Sequence, residues 1–172
     1  KLGHTKIGII NGSISYSRNA ADRFKGYKKA LQEYDIEINL DWVINGEFCF
    51  MEDDGYRAMN SLLEQDELPT AVFVCDDEMA IGAMVALKEK GLKIPDDMAI
   101  VGFDDLKIAR FASPALTTIR QPLYDMGKAA ARILLDYISD GKAMTASEIF
   151  KTELIVRESC GCKLSVEASR SE

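Results

Sequence analysis

The sequence is short of the residues that most catalytic chemistry needs. Its one histidine, His4, precedes the first apolar run and has no nucleophile near it, so a hydrolytic triad is not expected. Its four cysteines, Cys49, Cys75, Cys160 and Cys162, include no Cys-x-x-Cys pair, and with a single histidine they make no zinc pattern. Neither a metal nor a cofactor is expected. Four prolines and no low-complexity stretch exclude a collagenous or Pro-rich chain. No apolar run approaches the length of about 18 residues that a spanning helix needs. The opening Lys1-Leu-Gly-His-Thr-Lys6 lacks the architecture of a secretory signal. Positive charge is in deficit: 21 Lys and Arg stand against 28 Asp and Glu, for a net charge of −7. A nucleic-acid backbone is gripped by basic clusters. The densest one here, Arg23 with Lys25, Lys28 and Lys29, reads as a solvated helix face, so this chain alone is not expected to bind DNA.

What remains is an ordinary globular composition, 47% apolar and 28% charged over 172 residues. Such a chain forms one domain that buries roughly 70% of its unfolded surface. Apolar periodicity alternates between short runs and helical stripes. Lys6 to Ile10 is a buried strand closed by Asn11-Gly12, and Ala21 to Tyr34 carries Phe24, Tyr27, Leu31 and Tyr34 at helical spacing. A strand from Ile36 to Ile44, a helix from Gly55 to Glu64 and a strand from Ala71 to Cys75 follow, with Cys75 read as a buried thiol. Asp76 or Asp77 then caps a helix from Glu78 to Lys90 that ends at Gly91. Met98 to Phe103 is a third apolar strand stopping at Asp104-Asp105. Leu116 to Arg120, a helix from Pro122 to about Ser139, and a strand from Glu148 to Val156 complete the series. The predicted class is α/β, a parallel sheet sandwiched by helices.

In such sheets ligands sit beyond the carboxyl ends of the strands. That rule selects the loop from Asn11 to Arg23, the segment Gly46 to Phe48, the trio Asp76-Asp77-Glu78, and Asp104-Asp105. The first strand end, Gly8-Ile-Ile-Asn-Gly12-Ser13, fails the dinucleotide fingerprint, and no Walker loop is present. Asn11-Gly12 also lacks the acids that a magnesium-binding receiver domain needs there. A two-carboxylate pair among Asp76, Asp77, Asp104 and Asp105 is conceivable, but helix capping and solvation account for Asp77 and Asp105 more simply. Asp104 differs. It ends a buried strand, where a carboxylate is costly unless something binds it. Arg23 is its natural opposite number, and Phe48 is an apolar ring in a loop that no core face demands. A guanidinium fork, a carboxylate and an aromatic plate around one cleft suit a small polyhydroxylated or heterocyclic ligand.

At these residues the chain resembles the LacI family of transcriptional regulators, in its purine-repressor-like branch. The matching pieces run in order: Leu2-Gly-His4-Thr-Lys-Ile7-Gly, Asp22-Arg23-Phe-Lys-Gly26-Tyr27, Gly55-Tyr-Arg-Ala-Met59, Pro69-Thr-Ala-Val-Phe73, Asp77-Glu-Met-Ala80-Ile-Gly82-Ala83, Pro95-Asp-Asp, Val101-Gly-Phe-Asp104-Asp105, Ser113-Pro-Ala-Leu-Thr-Thr-Ile119-Arg-Gln-Pro122 and Leu154-Ile-Val-Arg157-Glu-Ser159. The resemblance covers about residues 2 to 160. It implies a type I periplasmic-binding-protein-like sensor whose two lobes close on a small effector. By position, Arg23 and Asp104 match the pair gripping the effector, Asp76 a polar contact, Phe48 the stacking ring, and Ser17 and Asn19 loop contacts. Ser17 stands where the purine branch carries an arginine, and the segment from Glu47 to Asp54 is two residues longer. A sugar is therefore as good an effector as a nucleobase.

The same resemblance sets the expected organisation. Residues 1–113 and 143–162 form the C-terminal lobe, 114–142 cross to a second lobe that is incomplete in this chain, and 163–172 are a loose tail. The crossing helix, with Leu123, Met126, Ala130, Ile133 and Leu134, would lack its usual partner. Ile81, Met84 and Val85 offer a dimer stripe, core burial being the competing reading, and a homodimer is expected. DNA would be met only through a helix-turn-helix outside this chain, and no membrane is involved. The free thiols and missing signal point to the cytoplasm. The expected function is effector sensing for such a regulator, not catalysis. The alternatives are a sensor module of a diguanylate cyclase or kinase, suggested by the Ser-Cys-Gly-Cys162 ending, and an exported sugar-binding protein.

Overall fold

The computed structural model describes residues 2–46, 51–140 and 147–162. Six strands form one sheet: β1 (Ile7–Gly12), β2 (Val43–Gly46), β3 (Ala71–Val74), β4 (Ala99–Asp104), β5 (Thr117–Arg120) and β6 (Glu153–Ile155). Their order is β2-β1-β3-β4-β5-β6. The first five are parallel in register, with Ile9 beside Val43 and Phe73, and Val101 beside Thr117. The last strand, β6, is antiparallel to β5, pairing Ile119 with Leu154. The sheet is therefore mostly parallel, not wholly so as the alternation of elements suggested.

The connections are α1 (Arg18–Glu33), a 3-10 turn at Leu40–Trp42, α2 (Glu52–Leu62), α3 (Asp77–Glu89), α4 (Lys107–Phe111) and α5 (Leu123–Asp140). Because successive strand residues point to opposite faces, Ile9 and Ile10 seed two different cores. Ile9 joins Tyr27 and Leu31 of α1, with Phe24, Val43 and Phe73 at the edge. Ile10 joins the larger core under α2, α3 and α4, with Met59, Leu62, Val74, Met79, Leu87, Ile100 and Leu116. This places helices on both faces of the sheet. The approach of α2 to α3 is close enough to need glycine on each: a Cβ at Gly55 would overlap the Met79 carbonyl, and one at Gly82 the Glu52 carbonyl.

Several boundaries move for local reasons. Helix α1 begins at Arg18 because the Ser17 hydroxyl accepts from Ala20 N (3.3 Å), ahead of the first apolar residue of the stripe. The start of α2 lies at Glu52, where Asp54 Oδ2 accepts from Met51 N (3.3 Å) and three acids occupy the positive helix end. The stretch from Ile36 is not strand; Leu40–Trp42 coils first, with Asn39 accepting from Asp41 N. The five-residue α4 is too short to show a stripe and was not legible. Helix α5 belongs to neither core, and Leu123, Tyr124, Leu134, Leu135, Tyr137 and Ile138 on it are exposed. None of its expected apolar face is buried, Ile133 being half-buried; Ala129, which was not anticipated, is buried.

Candidate functional site

The carboxyl ends of β1, β3, β4 and β5 bring the expected polar residues onto one rim. Helix α1 rises from its Ser17 cap and carries Arg23 in its second turn. There the guanidinium carbon lies 5.1 Å from the centre of the Phe103 ring, a cation–π contact. Phe103 meets Phe73 edge-on at 6.4 Å, so the plate under Arg23 is anchored to two strands. Among the described residues, Arg23 has no carboxylate within 4.0 Å, although its helix neighbours Arg18, Lys25 and Lys29 all do.

Asp76 follows β3 and caps α3. Its Oδ1 accepts from Glu78 N (2.8 Å) and Met79 N (3.2 Å). Burial pushes its carboxyl up to about 6; the two backbone hydrogen bonds oppose that, while the charges of Asp104 and Glu78 add to it. Asp104 ends β4 with φ at 106° and accepts from the side-chain amide of Gln121, which follows β5. Two carboxylates thus sit close enough to feel each other on one rim, beside an arginine that neither neutralises by contact.

The neighbouring acids do something else. Asp77 is not the cap but is wholly buried, accepting from Thr118 Oγ1 (2.6 Å) and Leu106 N (2.7 Å). Burial raises its pKa, against the pull of those two donors. Asp105 is not solvated: it is paired with Arg157 (2.5 Å) and Arg120 (2.7 Å), and Arg120 reaches on to Glu153 (3.4 Å). Burial alone would raise the Asp105 carboxyl, but the two arginines outweigh it and hold it below the usual carboxylate range. The readings of Asp77 as a cap and Asp105 as solvated are therefore corrected. Their partners lie on distant strands that no local pattern reveals. Gln121 was likewise missed as a site residue, although Arg120-Gln121-Pro122 ends the strand whose carboxyl edge was in question.

Of the other expected site residues, Ser17 is half-buried and engaged as the α1 cap, and Asn19 is exposed in the first turn of α1. Phe48 lies outside the described residues. Asn11, fully buried at the end of β1, donates to Ala20 O (2.9 Å), while its Oδ1 finds no partner among the described residues. Cys75 is buried as expected, and burial pushes its thiol up to about 11, which leaves it unreactive at neutral pH. On α3, Met84 is buried in the core between α2 and the sheet, which corrects its place in the dimer stripe. Ile81 is half-buried and Val85 exposed. A groove of about 710 Å³ lies at the other end of the strands, lined by Thr5, Tyr34, Trp42 and Glu67, away from this rim.

Comparison with known proteins adds the lineage. Residues 1–160 match the periplasmic binding protein-like domain. The HTH-type transcriptional repressor PurR of Haemophilus influenzae is 48% identical over 162 residues, 92% of this chain and 47% of that protein. The ribose operon repressor of Haemophilus influenzae is 41% identical over 157 residues, 91% of this chain and 46% of that protein. The structure of the transcriptional regulator CelR in complex with cellobiose superposes with a TM-score of 0.83 at 34% identity, covering 91% of this chain and 47% of that one. The chain spans about half the length of the curated relatives it matches. It belongs to the periplasmic binding protein-like domain family, in the form carried by LacI-type transcriptional regulators.

Proposed function

We propose that this chain is the effector-sensing lobe of a LacI-type transcriptional regulator, and that Arg23, Asp76 and Asp104 hold a small effector rich in hydroxyl or N–H donors. The observation that carries this reading is the placement of Asp76 and Asp104 at the ends of the adjacent strands β3 and β4, with Arg23 stacked on Phe103 of β4 and paired with no carboxylate among the described residues. Two carboxylate acceptors side by side fit vicinal hydroxyls of a sugar. They fit the N–H edge of a nucleobase less fully, since its ring nitrogens also need donors. Phe48, Ser17 and Asn19 complete the contacts. CelR was solved with cellobiose, which supports the sugar class.

Effector binding would favour one lobe arrangement and so bias DNA binding by a helix-turn-helix outside this chain. In this reading the expected crossing segment, residues 114–142, leaves this lobe only after β5, and α5 then crosses to the second lobe, whose surface covers the exposed apolar side of α5. The chain works in the cytoplasm as a homodimer, with Ile81 and Val85 on its interface. The test is calorimetric titration of the full-length gene product with D-ribose, cellobiose and hypoxanthine. Each charge-assisted hydrogen bond contributes about 1.5–3 kcal/mol, so Arg23→Ala and Asp104→Ala should each weaken the bound ligand roughly tenfold or more. Affinities within a factor of about two of the unaltered protein in both variants would remove the site from this rim.

A further inference from the structure

One buried carboxylate holds both backbone N–H groups of the turn that follows Asp104. Leu106 N donates to Asp77 Oδ2 directly, at 2.7 Å. Asp105 N donates to Thr118 Oγ1 at 3.3 Å, and that hydroxyl donates onward to Asp77 Oδ1 at 2.6 Å. Both Asp77 and Thr118 are fully buried. Room for the carboxylate exists because Gly102 has no side chain; a Cβ there would overlap it. The turn needs such holding. Asp104 and Asp105 have φ of 106° and 55°, a region that residues with a Cβ rarely adopt. The Asp105 side chain is clamped by Arg157 and Arg120. The Asp104 carboxylate takes no part in this bracing, and its hydrogen bond comes from Gln121.

We propose that Asp77, acting through the Thr118 hydroxyl, is a positioning residue for effector recognition: it holds the turn 104–106, with Asp104 and Asp105 at positive φ, in the conformation that presents the Asp104 carboxylate. This rests on the reading of Asp104 as an effector contact. A carboxylate needed only for stability would be satisfied by any buried donors. This one takes the two N–H groups that fix the turn beside Asp104, from a different helix and through a different strand. The consequence is that Thr118, which never touches the effector, sets how well Asp104 can.

The experiment is a double-mutant cycle on the full-length gene product, titrated with D-ribose and, in parallel, hypoxanthine. Thr118→Val keeps the shape and removes the relay, and is expected to weaken binding at least tenfold. Thr118→Ser, which keeps the hydroxyl, should stay within about threefold of the unaltered protein. In the Asp104→Ala background, Thr118→Val should add less than about a twofold further loss, because there is nothing left to position. A loss of the same size with and without the Asp104 carboxylate would overturn the positioning role while leaving the rim as the site. An Asp104→Ala variant that binds as before would instead remove the site itself. Amide hydrogen exchange supplies a ligand-free measurement. Protection at Asp105, whose N–H donates to the Thr118 hydroxyl, should fall at least tenfold in Thr118→Val and persist in Thr118→Ser, and unchanged protection there in the valine variant would also overturn the proposal.

Discussion

Among single residues, adjacent acids separate into unlike roles. Asp76 and Asp77 are neighbours, yet one caps a helix at the rim and the other is sealed beneath it with Thr118 and Leu106. The Asp76 carboxyl stands at about 6 in the folded chain against an ordinary 3.8. Between those values the folded state holds more of this proton than the unfolded one. The contribution of this group to stability is therefore greatest at low pH and is lost as pH rises through about 6. Asparagine caps as well as aspartate and carries no charge to bury. Asp76→Asn should therefore raise the melting temperature relative to the unaltered chain, by a margin that grows between pH 4 and pH 7. Thermal melts across that range check it, and a margin independent of pH would remove the buried charge from Asp76.

At the level of elements, contacts distant in sequence decide which patterns become structure. The pairing of α2 with α3 depends on Gly55 and Gly82, where backbone meets backbone. Gly82→Ala gains up to about 1 kcal/mol of helix propensity, but its methyl meets the Glu52 carbonyl, which cannot move without shifting α2. Overpacking of this kind costs about 1–3 kcal/mol, so a net fall in denaturation midpoint is expected in urea titration. A midpoint at or above that of the unaltered chain would mean that the helices separate freely. The C-terminal segment is another case. Ser159 inserts between β4 and β5: its Oγ donates to Ile100 O (2.6 Å) and accepts from Thr117 N (2.8 Å), while its carbonyl accepts from Ile100 N (2.9 Å). This splice takes the chain away from β6 after Ile155; most of the nine residues expected as strand lie ahead of Glu153 and do not pair.

For the whole molecule, exposed apolar side chains concentrate on α5, with others on α3 and α4. On α3, Ile81 is half-buried and Val85 exposed, and α4, which packs on α3, exposes Ile108 and Phe111. Met84, on the buried side of the same helix, cannot contribute. If this face joins two copies, Val85→Glu should shift the full-length protein from dimer to monomer in sedimentation velocity without unfolding it. An unchanged sedimentation coefficient at equal concentration would place the interface elsewhere. The apolar side of α5 is a separate surface, left open because the helix leaves the sheet after Gln121 and Pro122.

Apart from the short α4, the order of strands and helices, the two-sided sheet and the strand ends carrying Asp76 and Asp104, with Arg23 on the helix after the first strand, were legible in the sequence. Apolar periodicity, caps and turn residues act within a few positions, and the ends of buried strands are marked by abrupt polarity. Only the tertiary structure decided which acid was which. Asp105 meets Arg157 across 52 positions, Asp77 meets Thr118 across 41, and β6 takes its direction from the edge it joins. It also turned Met84 inward, because a helix packed between another helix and a sheet buries more than one stripe. A side chain's type and neighbours along the chain set what it can bond. Which donors reach a buried oxygen depends on the packing of distant elements, and no local pattern encodes that.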